Sequence, residues 1–206
     1  MAELIDLSRE IYQGMPVYPG DIEVELENDK KLETDGYENH NLKMGMHTGT
    51  HIDLSAHMIK SDYTISELEL ENFSGQAKII YAGDEEFIEY KEEYDALIDE
   101  DDIVLIYTGF AEKYGSTEYY DRHPVLSEEL ANFLVEKKIK ILGLDMPSPD
   151  RFPYKVHRIL FTNDIFIIEN MVNLDKLLGL NSFQILVFPL KIRAEAAPVR
   201  AAALLG

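Results

Sequence analysis

Three histidines and an aspartate fall within eleven residues, at His47, His51, Asp53 and His57, in the segment His-Thr-Gly-Thr-His-Ile-Asp-Leu-Ser-Ala-His. Neutral imidazole nitrogens and one carboxylate form a donor set that suits zinc, manganese or non-haem iron, and open coordination positions would admit water. His47 and His51 are four apart, a spacing that shares one face of a helix. The Thr-Gly-Thr between them opposes a helix, because Gly and the β-branched Thr are poor helix formers. The pattern therefore predicts a loop or strand end on which the side chains converge. A lone histidine is more often a surface residue or a hydrogen-bonded core residue, and H-x-x-x-H by itself specifies little. Three histidines and an Asp around a Gly, flanked by apolar residues, make the metal reading the better one. The chain has no cysteine, so disulfides, thiolate metal sites and a Cys nucleophile are excluded.

A second pair lies far downstream. His157 precedes the apolar run Ile159-Leu160-Phe161, and Glu169 follows Ile165-Phe166-Ile167-Ile168. A carboxylate there either marks a solvated strand end or meets a cation at the carboxyl edge of a sheet, where sites collect. The other titratable and aromatic candidates read as structural. His40 sits in a polar stretch and His123 precedes Pro124, so both are expected on surface loops. Tyr119 and Tyr120 are expected in loop packing rather than in a pocket. Leu68, Leu70 and Phe73 are expected to pack, and the acidic stretches Asp84-Glu85-Glu86 and 89–102 to be solvated, with a helical turn or two. Ser127 reads as a helix cap; no G-x-S-x-G surrounds it.

The elements that must position these residues follow from periodicity and punctuation. Glu3 to Leu7 reads as a short strand. Two Pro and two Gly between Gly14 and Asp21 forbid regular structure there. Glu23 to Leu26 and Asn41 to Met46 read as strands, and Ala77 to Tyr81 and Ile103 to Tyr107 as buried ones. Ser127 opens a helix to about Lys137, with Glu128 and Glu129 in the first turn and Lys137 and Lys138 at its end. Ile139 to Leu144 and Ile165 to Ile168 read as strands, and Phe183 to Leu190 as the last long one. Strands interspersed with a few helices predict one mixed α/β domain over residues 1–206.

The formal charge is −20, from 39 acidic and 19 basic residues. Such a surface repels phosphate backbones and anionic membranes, so nucleic acid and membrane are not the expected partners. The N-terminus lacks an apolar signal region and no apolar run approaches ~18 residues, so a cytoplasmic location is the expectation.

The eleven-residue segment resembles the H-x-G-T-H-x-D-x-P-x-H signature of the cyclase family of metal-dependent hydrolases, which includes bacterial kynurenine formamidases (arylformamidases) and isatin hydrolases. Pro16-Val17-Tyr18-Pro19-Gly20-Asp21 resembles the family's P-x-[aromatic]-P-G-D. The stretch from Gly143 to Asp150 resembles its G-x-D-x-x-S-x-D loop. His157 with Glu169-Asn170 resembles its later H…E-N/G pair, and Pro189-Leu190-Lys191-Ile192 with Pro198-Val199-Arg200-Ala201 resembles the closing strand. The likeness runs along nearly the whole chain. It implies a mixed α/β domain of the cyclase type and an amide hydrolase working through metal-activated water. His47, His51 and Asp53 would hold a first divalent metal, zinc or alternatively manganese. Asp53 would bridge to a second held by His157 and Glu169. His57 would be the proton donor and acceptor, and Tyr18 would line the substrate pocket. Family habit adds a homodimer or higher oligomer.

Three departures stand out: Ser55 replaces the family's frequent Pro, Tyr18 stands where kynurenine formamidases carry Trp, and residues 193–197 lack the Gly and Ser common before the closing strand. The expected substrate is N-formylkynurenine, with isatin or another cyclic amide or ester as the alternative. A metal-binding protein without activity and an acidic interaction protein are the readings outside the class.

Overall fold

The computed structural model describes residues 3–83 and 85–206; Met1 and Ala2, and Asp84 of the acidic run, lie outside the described residues. Twelve strands and five short α-helices are laid out along them. The strands are β1 (Glu3–Asp6), β2 (Glu25–Lys30), β3 (Asn39–Lys43), β4 (His51–Asp53), β5 (Ser74–Tyr81), β6 (Phe87–Ile88), β7 (Ile103–Tyr107), β8 (Val125–Leu126), β9 (Ile141–Leu144), β10 (Phe166–Glu169), β11 (Phe183–Pro189) and β12 (Ala196–Leu205). The helices are α1 (Leu32–Asp35), α2 (Tyr94–Leu97), α3 (Thr117–Asp121), α4 (Glu128–Glu136) and α5 (Lys155–Thr162).

Eight strands form one sheet in the order β1-β12-β11-β5-β7-β9-β10-β4, and β4 pairs again with β12. That last ladder closes seven of the strands into a barrel-like ring, with β1 attached outside it. The segment β5-β7-β9-β10 is parallel, and the remaining pairs are antiparallel. The parallel strands are apolar on both faces, as a sheet buried on both sides requires. Ile103 and Leu105 point to one core with Ile52, Leu54, Ile168, Ile185 and Ala203, the interior of the ring. Val104 and Ile106 point to a second core with Leu130, Leu134, Val156 and Leu160, where α4 and α5 cover the outside. Gly143 is required by the inner packing: a Cβ there would lie 2.5 Å from a methyl of Leu105 and 2.8 Å from the sulfur of Met171.

The strand over residues 103–107 and the helix opened by Ser127 stand as expected. The Ser127 hydroxyl accepts from the Leu130 N–H at 3.0 Å, satisfying one of the free amides at the helix start. Several expectations are corrected. The exposed N-terminal hairpin strand begins at Glu25, where the ladder to Lys43 starts, and Val24 before it is buried. Leu70 is 64% exposed on a 3-10 turn, while Phe73 packs. Tyr94, Ile98 and Asp102 are buried within the stretch expected to be a solvated acidic surface. The last long strand is β12, which is also the longest.

Candidate metal centre

Strand alternation puts the donors together. In β4, Ile52 points into the ring, so His51 and Asp53 point outward under the helix layer. In β10, Ile168 points inward and leaves Glu169 on the outer face. The antiparallel register sets His51 opposite Glu169 and Asp53 opposite Ile167. On the other side of β4, Asp53 stands opposite Ala196, a small residue that leaves its carboxylate room. The fourth donor comes from α5, which packs over this edge with His157 buried beneath it.

His51 Nε2 lies 3.4 Å from Asp53 Oδ1 and 3.4 Å from Glu169 Oε2. Glu169 Oε1 lies 3.5 Å from His157 Nε2. His47 Nδ1 lies 2.8 Å from Asp53 Oδ1. His51 Nε2 and Asp53 Oδ1 are nevertheless buried without a well-aligned hydrogen bond among the described residues. Leaving a buried polar atom unsatisfied costs about 1–3 kcal/mol, more for a charged group. Two donors each about 2.1 Å from a tetrahedral ion lie about 3.4 Å apart, the spacing seen here. The residues therefore fit a divalent cation. Donor atoms of His51, Asp53 and Glu169 lie within 4.8 Å of one another, as do those of His47, Asp53 and His57, so Asp53 belongs to both groups.

The outward atoms are set by the inward ones. His51 Nδ1 is 2.9 Å from the Gly49 carbonyl and His157 Nδ1 is 2.5 Å from Asp150 Oδ1. Each Nδ1–H donates there, which leaves the Nε2 lone pair facing the cluster. Asp150 does more: its Oδ2 accepts the Val156 N–H at 2.6 Å and the His157 N–H at 3.3 Å, so one carboxylate anchors both the start of α5 and the ring it carries. Gly49 has φ +66°, a conformation Gly adopts without strain. Its carbonyl also accepts from Asn170 Nδ2 at 3.0 Å, and Asn170 Oδ1 accepts from the Tyr119 hydroxyl at 2.7 Å. The end of β10 is thereby tied to the turn that carries His47.

Burial opposes protonation of His47, His51 and His157, yet the neighbouring carboxylates prevail. Asp53 raises His47; Asp53 and Glu169 raise His51; Asp150 and Glu169 lift His157 to about 9. Asp53 and Glu169 are held low by those imidazoles despite burial. A cation binding here competes with protons for the same atoms. His57 differs: burial pushes it down and no strong partner offsets it, so it is neutral near pH 7.

The cluster lines a pocket of about 520 Å³ whose walls include four tyrosines, Tyr18, Tyr114, Tyr120 and Tyr154. Tyr18 meets Tyr120 edge to face at 5.7 Å. The structure thus gathers His47, His51, Asp53, His57, His157, Glu169 and Tyr18 around one cavity. His40 is exposed, as read from the sequence, but on strand β3 rather than on a loop. His123 is not on the surface: it is 1% exposed, with its ring nitrogens 3.0 Å from the Tyr120 carbonyl and 3.3 Å from that of Asp150. Tyr119 is buried in α3 and Tyr120 lines the pocket, contrary to the loop-packing expectation. Asp150, Asn170 and Glu195, whose carboxylate lies 3.3 Å from His47 Nε2, had no assigned role in the sequence reading. Asp150 stands in a recognisable motif, but only the fold brings its carboxylate to His157.

Residues 5–151 match the model of the family described as "Putative cyclase". The chain is 32% identical over 205 residues to a kynurenine formamidase of Bacillus mycoides (strain KBAB4), a match covering 97% of this chain and 96% of that protein. Among solved structures it is similar to isatin hydrolase A from Labrenzia aggregata bound to benzyl benzoate, with TM-score 0.88 and 23% identity over 99% of this chain and 94% of that one. It is also similar to the structure of a potential metal-dependent hydrolase with cyclase activity, with TM-score 0.81 and 26% identity over 99% and 98% of the two chains.

Proposed function

The chain belongs to the cyclase family of metal-dependent hydrolases, and on that premise we propose that it is an amidohydrolase acting on N-formylkynurenine, releasing formate and kynurenine. The observation that carries the reading is the pair of buried ligand atoms, His51 Nε2 and Asp53 Oδ1, without a well-aligned hydrogen bond among the described residues, in a pocket lined by four tyrosines. His47, His51, Asp53, His157 and Glu169 would hold one or two divalent ions, zinc first and manganese second. Such an ion supplies Lewis acidity to a carbonyl oxygen and lowers the pKa of water toward neutrality.

The chain's own residues do the rest. His57 is half-buried and neutral, and one of its ring nitrogens is within 4.8 Å of donor atoms on His47 and Asp53. That nitrogen takes a proton from the attacking water and returns it to the leaving nitrogen of the amide. Such help is worth about 10²–10⁴ in rate. The aromatic wall, Tyr18 and Tyr120 foremost, receives the aryl ring of the substrate and keeps water from its apolar face.

We also propose that the working unit contains a second copy of the chain. The two-stranded β2–β3 sheet stands apart from the ring, and Leu42 is 52% exposed on it; an isolated two-stranded sheet is marginal in water. No helix of the described residues is long and apolar enough to cross a membrane, and the cytoplasm is the proposed location.

The test is formate release from N-formylkynurenine by zinc- or manganese-loaded protein, with and without chelator. Chelator-sensitive release supports the reading. Stoichiometric metal without turnover of this substrate, but with turnover of isatin, moves the assignment to cyclic amides. A protein that binds no metal sinks the hydrolase reading.

A further inference from the structure

The pocket holds one unused cation. Arg158 is the only Lys or Arg among the described residues that line it. It follows His157 on α5, and its side chain pairs with no carboxylate among the described residues. Lys155, on the same helix, pairs with Glu128 at 2.6 Å, and Arg9 lies 3.8 Å over the ring of Tyr114, itself a pocket residue. Asp21 lines the same pocket and also pairs with no cation among the described residues. The pocket thus presents an unneutralised guanidinium and an unneutralised carboxylate on its walls, separate from the metal donors.

We propose that Arg158 and Asp21 select substrates that carry an α-amino-acid group away from the scissile amide, Arg158 binding the carboxylate and Asp21 the ammonium. This rests on the amidohydrolase reading above and adds what that reading leaves unassigned, the residues that recognise the α-amino-acid group of the proposed substrate. The chemistry gives Arg158 a second task. A free carboxylate is a better ligand for a divalent cation than an amide carbonyl, so an amino-acid substrate could seat itself backwards on the metal site. A guanidinium offers the carboxylate a planar, two-pronged partner elsewhere. It thereby leaves the amide to face the metal donors.

The experiment compares two substrates on metal-loaded protein: N-formylkynurenine, and 2-formamidoacetophenone, which keeps the aryl formamide and the ortho ketone but lacks the amino-acid group. In R158A the ratio of kcat/KM for the first substrate over the second is expected to fall about tenfold or more, as loss of a charge-assisted hydrogen bond predicts, mostly through KM. R158K should restore part of the ratio, and D21N should lower it less. An unchanged ratio in R158A and D21N, with both substrates still cleaved, overturns the inference and leaves the amidohydrolase reading standing. Failure of the wild-type protein to cleave either substrate, with metal bound, overturns the amidohydrolase reading and this inference with it.

Discussion

The two sides of Asp53 are built differently. On one side His51, His157 and Glu169 are buried, and each imidazole has its second nitrogen tied to an acceptor, the Gly49 carbonyl or the Asp150 carboxylate. On the other side His47 is a quarter exposed and leans on Glu195, itself 40% exposed, and the His57 ring has no hydrogen bond among the described residues. The closed side rests on two strand ladders and a helix, the open side on a turn and one 3-10 turn. A ligand that must hold its place is best fixed by neighbours on every atom. A group that must take up and give back a proton needs a free nitrogen and a neutral resting state. On the proposed reading the contrast matches holding with the closed side, proton traffic with His57 on the open side, and leaves His47 as the more loosely held of the proposed metal ligands.

The comparison breaks first at its hinge. D53A is expected to abolish stoichiometric metal binding and bring turnover to background, measured by elemental analysis of the purified variant beside its activity. Retention of a full complement of metal would show that Asp53 is not shared between the sides. Saturating metal at a thousand times Kd should stabilise the wild-type fold by about 4 kcal/mol, and a thermal melt should show chelator removing that gain in wild type, whereas D53A, which gains nothing from metal, melts at the same temperature with and without chelator. Next, H57A should lower kcat by about 10²–10⁴ while the metal content stays near that of wild type. Loss of metal in H57A would place His57 among the holders and erase the contrast. D150A should weaken metal affinity by about 10–100-fold through His157, read by competition with a chromophoric chelator. An unchanged affinity would mean that the helix fixes His157 without this carboxylate. Smallest is Y18W, which should change KM for the aryl substrate a few-fold with kcat within about twofold, because it exchanges one aromatic wall for another.

Much of the barrel was legible in the residues themselves. Ile103-Val-Leu-Ile-Tyr107 reads as a buried strand, and Ser127 with its acidic first turn reads as a helix start, because period, cap and charge agree. β12 was not legible from periodicity, and only the resemblance of Pro198-Val199-Arg200-Ala201 to a closing strand pointed to it: five of its ten residues are Ala and one is Pro198, a composition poor in β-propensity that the partners β11, β4 and β1 override. α5 was hidden too, since it has only eight residues and its start is anchored by Asp150 from outside the helix. The donors were legible as types at a spacing. Their convergence was not, because it depends on the pairing of residues 51–53 with 167–169 and 196–198. His123 misled for the same reason: its flanking Pro signals a loop, but that loop is packed under Asp150 by contacts that no local pattern encodes.

The ladder that closes the ring also sets a schedule. Residues 51–53 leave the ribosome early, yet their partners in β10 and β12 follow more than a hundred residues later. Pairings this distant in sequence form late, because the loop entropy must be overcome before the contacts reward it. The donors His51 and Asp53 therefore spend synthesis as unordered side chains on a nascent chain. Metal capture belongs to the end of folding, and a nascent chain halted before residue 196 emerges has no seam on which to assemble the site.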